Sequence, residues 1–233
     1  MPVVVTPALV VDRIAYGDKD LIVTLLTRDA GLVSAMARSA RGSRRRFPSS
    51  LDLFVCVQAH LSTRPGPGLA SLIAAEPDRA FPGILESLDR LRVGQAMLVL
   101  ARDLLRDAPA GPTTFERLLG ALAALERDPS PHATLVRLAM DLLSELGHAP
   151  STTSCPVCGG DLRVPPTGRA VLLPDGRIVC DVCCAGRLGM PVPATLLGDG
   201  DPAPSPGEAA AFVTALMSAV LGRPYTLPLG LDP

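Results

Sequence analysis

The chain has 233 residues, a formal net charge of −1, 48% hydrophobic residues, 3% aromatic residues and no Trp. That length suits one large or two modest domains, and near-neutrality excludes a uniformly basic protein that coats nucleic acid by charge alone. With so few rings the core must be built from Leu, Val and Ala, and broad aromatic binding platforms are not expected.

The opening "MPVVVTPALVVDRIAY" has no basic n-region and meets a charge at Asp12, which does not fit a secretory signal. No stretch approaches the roughly 18 uninterrupted apolar residues of a membrane span. The expectation is a cytoplasmic protein without a membrane segment.

Residues 10–80 read as strands. An apolar run breaks at Tyr16-Gly17-Asp18, a second run covers residues 21–27, Asp29-Ala30-Gly31 makes a turn, and a third run covers residues 32–37. Beyond an arginine-rich stretch, Leu53, Val55 and Val57 alternate with the period of a half-buried strand. "RPGPG" at residues 64–68 is a turn, and "LASLIAAEP" is a fifth strand. Five short strands in about 80 residues suggest a small barrel, with an OB-type fold as one candidate.

From Pro82 the period changes to that of helices, with Ile84, Leu85, Leu88, Leu91, Met97, Leu98, Leu100, Leu104 and Leu105 on the apolar side of the first. A second helix is expected from a Thr113 or Thr114 cap, and a third from Ser130-Pro131 to Gly147. After the cysteine segment of residues 151–190, a Pro/Gly/Asp linker leads to a last helix bearing Phe212, Leu216, Met217, Val220 and Leu221. The expected organisation is a barrel at residues 1–80, a helical region at 81–150, a cysteine-bearing insert at 151–190, and a linker, helix and tail at 191–233.

Cys155-Pro-Val-Cys158 and Cys180-Asp-Val-Cys183 are two CxxC pairs separated by 21 residues. Four thiolates on two tight turns are what a tetrahedral Zn²⁺ ion needs, and four protein ligands leave no open position for catalysis. The turns expected at Pro165-Pro166, Thr167-Gly168 and Pro174-Asp175-Gly176 would fold the intervening stretch back and bring the pairs together. Cys183 keeps the CxxC spacing and is preferred as the fourth ligand, with the adjacent Cys184 as fallback. Competing readings are a redox CxxC, which usually opens a helix in a thioredoxin-like unit, and disulfides, which lack a secretory context. His148 is a further potential ligand that four cysteines make unnecessary.

The stretch "YGDKDLIVTLLTRDAGLVSAMARSARGSRRRF", the strand-rich remainder up to "AAEPDRAF", the helical block, "CPVCGGDL" with "CDVC", and a final helix running into "LGRP" together resemble the bacterial RecO family of recombination mediators. The resemblance covers nearly the full length, and its first stretch is the most specific part. It implies a multidomain α+β architecture: an N-terminal five-stranded OB-fold β-barrel followed by an α-helical domain with a four-cysteine zinc-finger insert, carrying one structural Zn²⁺ per chain. It further implies a non-enzymatic protein that binds single- and double-stranded DNA and anneals complementary strands. With the RecR partner, such a protein loads RecA onto DNA covered by single-strand-binding protein. The acidic tail of single-strand-binding protein would dock in an apolar groove with a basic rim, for which Arg127 and Arg223 are candidates. Neither a GxxxxGK[ST] phosphate loop nor an acidic metal cluster is present in the sequence, and no small-molecule substrate is expected.

The charge distribution agrees with a DNA-binding barrel. Residues 1–47 hold eight basic against four acidic residues, a net +4, whereas the remainder holds fourteen against nineteen, a net −5. Arg38, Arg41, Arg44, Arg45 and Arg46 lie within nine positions on an expected connection between strands. An exposed, flexible connection of this kind suits sequence-independent phosphate contacts. Lys19 and Arg13 are candidates to extend it, and Arg28, beside Asp29, is a weaker one. Tyr16 and Phe47 could stack on bases, although core packing is the expectation for each. Cys56 reads as a small core residue. The alternative reading is a zinc-stabilised interaction subunit whose arginine loop docks an acidic protein partner; a thiol oxidoreductase ranks below both.

Overall fold

A computed structural model of the chain describes residues 3–43, 45–48, 51–62, 68–106, 108, 110–163, 169–198 and 203–229. Five strands, β1 (Val3–Tyr16), β2 (Asp20–Thr27), β3 (Gly31–Ala37), β4 (Val55–Ser62) and β5 (Ala70–Ala80), close a barrel in the order β1-β2-β3-β5-β4. Every pairing is antiparallel except β3 with β5, where Ala35 and Met36 face Ala70 and Ser71 in parallel. This is the five-stranded OB arrangement expected from the sequence.

Alternation decides which side chains fill the barrel. Ala8 and Val10 of β1, Val23 and Leu25 of β2, Ala35 and Ala37 of β3, Val57, Ala59 and Leu61 of β4, and Leu72 of β5 form one buried cluster. The alanines among them suit the cramped interior of a small barrel. The β2–β3 turn is closed by Thr27, whose buried hydroxyl donates to the Gly31 carbonyl at 2.8 Å and accepts the Ala30 N–H at 3.1 Å. Gly31 sits at φ 65°, a region that disfavours other residues.

The strand readings differ from the structure at two edges. β1 starts at Val3 rather than residue 10, since its first half pairs with β4. Leu53 lies in a turn, and β4 begins only at Val55, after Phe54 adopts φ 64°.

Helix α1 (Leu88–Leu105) follows a short 3-10 turn (Pro82–Glu86), so the helix expected from residue 83 starts later. Leu85, in the 3-10 turn, and Leu88, the first residue of α1, are exposed rather than part of the apolar face. α1 packs on β1 and β3. Arg102 reaches back to Asp12 at 2.7 Å. Helix α2 (Pro112–Leu125) begins after Gly111 with Pro112 at its first position; Thr114 is buried inside the helix and is not the cap. By its contacts the chain divides into two compact units, residues 1–127, which include α1 and α2 with the barrel, and residues 128–233.

The second unit holds α3 (Pro131–Glu145), a three-stranded sheet of β6 (Ala170–Leu172), β7 (Ile178–Cys180) and β8 (Met190–Pro191), the single turn α4 (Asp181–Cys184), and α5 (Pro206–Leu221). α3 packs on α5. On α5, Phe212, Leu216 and Met217 are buried as expected, with Ala209 and Val213, whereas Val220 and Leu221 are only half-buried. Among the described residues no helix is long and apolar enough to cross a membrane.

Candidate nucleic-acid interface and metal centre

The arginine stretch connects β3 to β4, and it is folded rather than a loose arm. Residues Ala40–Gly42 form a 3-10 turn entered through Ser39 at φ 54°. The Ser39 N–H donates to Asp20 at 2.7 Å, and the Arg41 N–H donates to the Lys19 carbonyl at 3.1 Å. These bonds tie the connection to the β1–β2 turn. At the other end the Ala75 N–H donates to the Arg46 carbonyl at 3.0 Å, fastening it to β5. Phe47 is buried in the barrel cluster and anchors the segment. Paired backbone groups and a buried ring explain why Gly42-Ser43 does not leave it free.

The guanidinium groups divide into two kinds. Arg46 is exposed but engaged: it donates to the Arg38 carbonyl at 2.8 Å and the Ser43 hydroxyl at 3.3 Å, and lies 5.3 Å from the Phe47 ring centroid. Arg41 makes one long contact, 3.4 Å to the Asp18 carbonyl. Arg38, Arg45 and Lys19 are exposed. Arg44 lies outside the described residues. The backbone bonds thus place Lys19 beside Arg41, as the charge pattern suggested.

Arg13 belongs to the same face but is partnered, donating to Asp52 and, at 3.2 Å, to the Leu51 carbonyl. Asp52 is the partner of Arg13 that sequence reading missed; it lies 39 positions away, and no local signal links the two. Arg28 pairs with Glu116 at 3.5 Å and does not extend the cluster. Tyr16, expected in the core, is 56% exposed at the end of β1, where the hairpin projects beyond the barrel's packed interior.

The second site is the cysteine cluster. The first pair sits on a tight turn in which the Cys155 N–H donates to the Gly160 carbonyl and the Gly159 N–H to the Cys155 carbonyl, both at 2.8 Å. Gly159 takes φ 73°, as such a turn requires. The second pair runs from the last residue of β7 into the helical turn α4, instead of forming a second hairpin loop. Antiparallel pairing of β6 with β7, through a turn at Pro174-Asp175-Gly176, delivers Cys180 to the site. The turns expected at residues 165–168 lie outside the described residues.

The sulfurs of Cys155, Cys158, Cys180 and Cys183 all lie within 4.8 Å of one another. Cys158 and Cys180 are 3.8 Å apart, which matches the edge of about 3.8 Å of a tetrahedron with metal–sulfur bonds of about 2.3 Å. The donor set therefore fits a metal ion. Cys184 turns away and donates to the Arg187 carbonyl at 3.4 Å. His148 is not among the clustered ligands.

The thiols differ in their hold on protons. Burial works against ionisation of Cys155, but the N–H groups of Cys180, Cys158 and Val157 directed at its sulfur bring its pKa down to about 6. The Cys183 thiol donates to the sulfurs of Cys180 and Cys158, and this pushes its pKa up to about 12. A cation among the four sulfurs would displace these shared protons, since thiolate is the ligating form.

The remaining candidates have structural surroundings. Cys56 is buried in β4, and burial with the nearby Asp78 charge pushes its pKa up to about 11, as suits an inert core thiol. His60 lies 3.8 Å from Glu76 on the neighbouring strand. Two clefts open in the second unit. One, of about 230 Å³, is walled by Met190, Val192, Pro204 and Ala211, with Glu208 as the charged residue in its lining among the described residues. The other, of about 370 Å³, brings His148 and Arg177, the latter paired with Asp175 at 2.7 Å, to an apolar wall of Ile178, Ala219 and Val220.

Comparison with known proteins agrees with both halves of this architecture. The family model described as "Recombination protein O N terminal" matches residues 1–81, and that described as "Recombination protein O C terminal" matches residues 85–194. A protein named DNA repair protein RecO from Pelobacter propionicus is 36% identical over 177 residues, covering 76% of this chain and 70% of its own length. One of the same name from Rubrobacter xylanophilus is 34% identical over 193 residues, covering 82% and 76%. Another from Myxococcus xanthus is 29% identical but spans 93% of this chain and 90% of its own. With an OB-type barrel bearing an arginine-rich connection and a second unit bearing a four-cysteine cluster, the chain belongs to the RecO family of DNA repair proteins.

Proposed function

We propose that this protein acts in DNA repair as a non-enzymatic accessory that binds single- and double-stranded DNA through the phosphate backbone and anneals complementary strands. The observation that carries the reading is the group of exposed cations, Arg38, Arg41, Arg45 and Lys19, on two turns joined by the hydrogen bonds from the Arg41 N–H to the Lys19 carbonyl and from the Ser39 N–H to the Asp20 carboxylate. Arginines held on a folded connection lose less freedom on binding than those of a loose arm, and they contact phosphates without reading bases. A protein that pairs any two complementary strands needs contacts of that kind.

The four cysteines hold one structural Zn²⁺, which ties β7 and α4 to the first knuckle and contributes to folding rather than chemistry. With RecR, the protein assists loading of RecA onto DNA coated by single-strand-binding protein, acting in the cytoplasm at the nucleoid; this part rests on family membership. For the acidic tail of single-strand-binding protein, the cleft of His148, Arg177 and Val220 joins basic side chains to an apolar wall, and the tail's carboxylates would have to displace Asp175, which lines the same cleft and pairs with Arg177 at 2.7 Å. The cleft bounded by Glu208 is acidic at its rim and does not suit that tail.

Annealing tests the reading directly. Two complementary labelled oligonucleotides should pair faster with the protein than alone, and the acceleration should fade as salt is raised. No acceleration at low salt, combined with tight binding to an acidic protein partner, would favour a docking subunit instead.

A further inference from the structure

The barrel carries a cleft of about 480 Å³ beside the arginine connection, with Arg13, Arg41 and Asp52 at its rim and Leu21, Ala40 and Phe47 among its apolar lining. Its volume lies within the range of ligand-sized sites. A second opening, of about 550 Å³, is lined by Lys19, Ser39 and Arg41, so Arg41 is common to both. Basic groups thus continue from the connection into the first cleft, where the chemistry changes from purely ionic to ionic with an apolar floor.

Among the described residues Asp52 is the one carboxylate lining that first cleft, and it is paired with Arg13. Asp12, the other carboxylate beside Arg13, is engaged by Arg102 at 2.7 Å. For a guanidinium, a carboxylate is the closest side-chain counterpart of a phosphate oxyanion. The Arg13 and Asp52 side chains are 45% and 56% exposed, and an ion pair so open to water contributes little and exchanges readily.

We propose that this cleft is a subsite for one unpaired nucleotide of a DNA strand, with its phosphate between Arg13 and Arg41, its base on the apolar floor, and Asp52 holding the phosphate position until DNA arrives. The inference rests on the DNA-binding reading above and adds a preference to it. Bases stacked within a duplex cannot reach the floor, so the subsite favours single strands. Asp52 is then a positioning residue: it keeps Arg13 extended over the cleft and yields it to the incoming phosphate.

The test compares binding of labelled oligothymidine and of a hairpin duplex at one fixed salt concentration. Asp52→Asn removes the competing charge and should tighten single-strand binding by roughly two- to fivefold, the scale of one exposed ion pair, and duplex binding by less. Arg13→Ala should weaken single-strand binding more than duplex binding. Glu76→Gln removes the same charge from β5 and should not discriminate between the two DNAs. The proposal is overturned if Asp52→Asn leaves single-strand affinity unchanged or lowers it, or if it and Glu76→Gln raise both affinities equally. Should the parent bind no DNA, the functional reading fails as well. If the parent binds and removal of the connection's arginines weakens it while Asp52→Asn does nothing, this inference alone fails.

Discussion

Cys183 and Cys184 are neighbours with different surroundings: one sulfur joins three others within 4.8 Å, and the other donates to the Arg187 carbonyl. Replacing Cys183 by Ser should therefore abolish stoichiometric metal by elemental analysis. The melting temperature should also fall, by on the order of 5–10 °C, because a structural metal contributes folding free energy. Cys184→Ser should retain the metal and melt like the parent; the reverse pattern would move the fourth ligand to Cys184. The spacing of CPVC and CDVC made the four-cysteine cluster legible, since two closely spaced thiols restrict the turn that carries them. It could not decide between adjacent cysteines, because that depends on how the turn at α4 is wound. The Arg13–Asp52 contact was illegible for a related reason: its partners are brought together only by closure of the barrel.

At the scale of elements, two details of helix packing and capping carry measurable consequences. Gly94 lies inside α1, where a Cβ would come within 2.8 Å of the Phe54 ring. Alanine is favoured over glycine in a helix by about 1 kcal/mol, but this approach reverses the sign. Gly94→Ala should destabilise by about 1–3 kcal/mol in chemical denaturation, and a stabilised variant would show that α1 and Phe54 do not meet this closely. α5 opens with a capping box: the Glu208 N–H donates to the Ser205 hydroxyl, and the Ser205 N–H donates back to the Glu208 carboxylate. Removing this cap in Ser205→Ala should cost about 1 kcal/mol. The Ser205 hydroxyl and N–H hold the Glu208 pKa below its ordinary value. A depressed carboxylate contributes above its unfolded pKa and loses that contribution as pH falls through the folded one. The stability difference between parent and Ser205→Ala should accordingly shrink on acidification below the usual carboxylate range, and a difference that grew there would contradict the cap. Barrel strands and helices were readable from their periods of 2 and 3.6. Their starts were less so: Pro112 follows Gly111 without the expected threonine cap, and the positive φ of Phe54 delays β4.

For the whole molecule, charge is distributed unequally along the chain, net +4 over residues 1–47 and −5 over the remainder. Residues 1–127 contain the barrel and the arginine connection, and residues 128–233 contain the cysteine cluster. Chelation of the metal should lower the stability of the second unit while leaving the folded barrel able to bind DNA; proteolysis that began in the barrel on chelation would argue otherwise. The run RSARGSRRRF showed where cations concentrate, but not that Arg46 serves partly to hold the connection over Phe47. That distinction selects the variant for the decisive experiment, since replacing Arg46 would remove packing together with charge. The affinity for a labelled single-stranded oligonucleotide should be measured across a salt titration for the parent and for a variant with Arg38, Arg41, Arg44 and Arg45 all replaced by Ala. Binding through phosphates predicts a steep fall of the parent's affinity with salt, and in the variant both weaker binding and a shallower slope, by about 0.7 for each phosphate no longer neutralised. A variant that folds like the parent and binds with the same affinity and slope would contradict the account and place the DNA surface elsewhere.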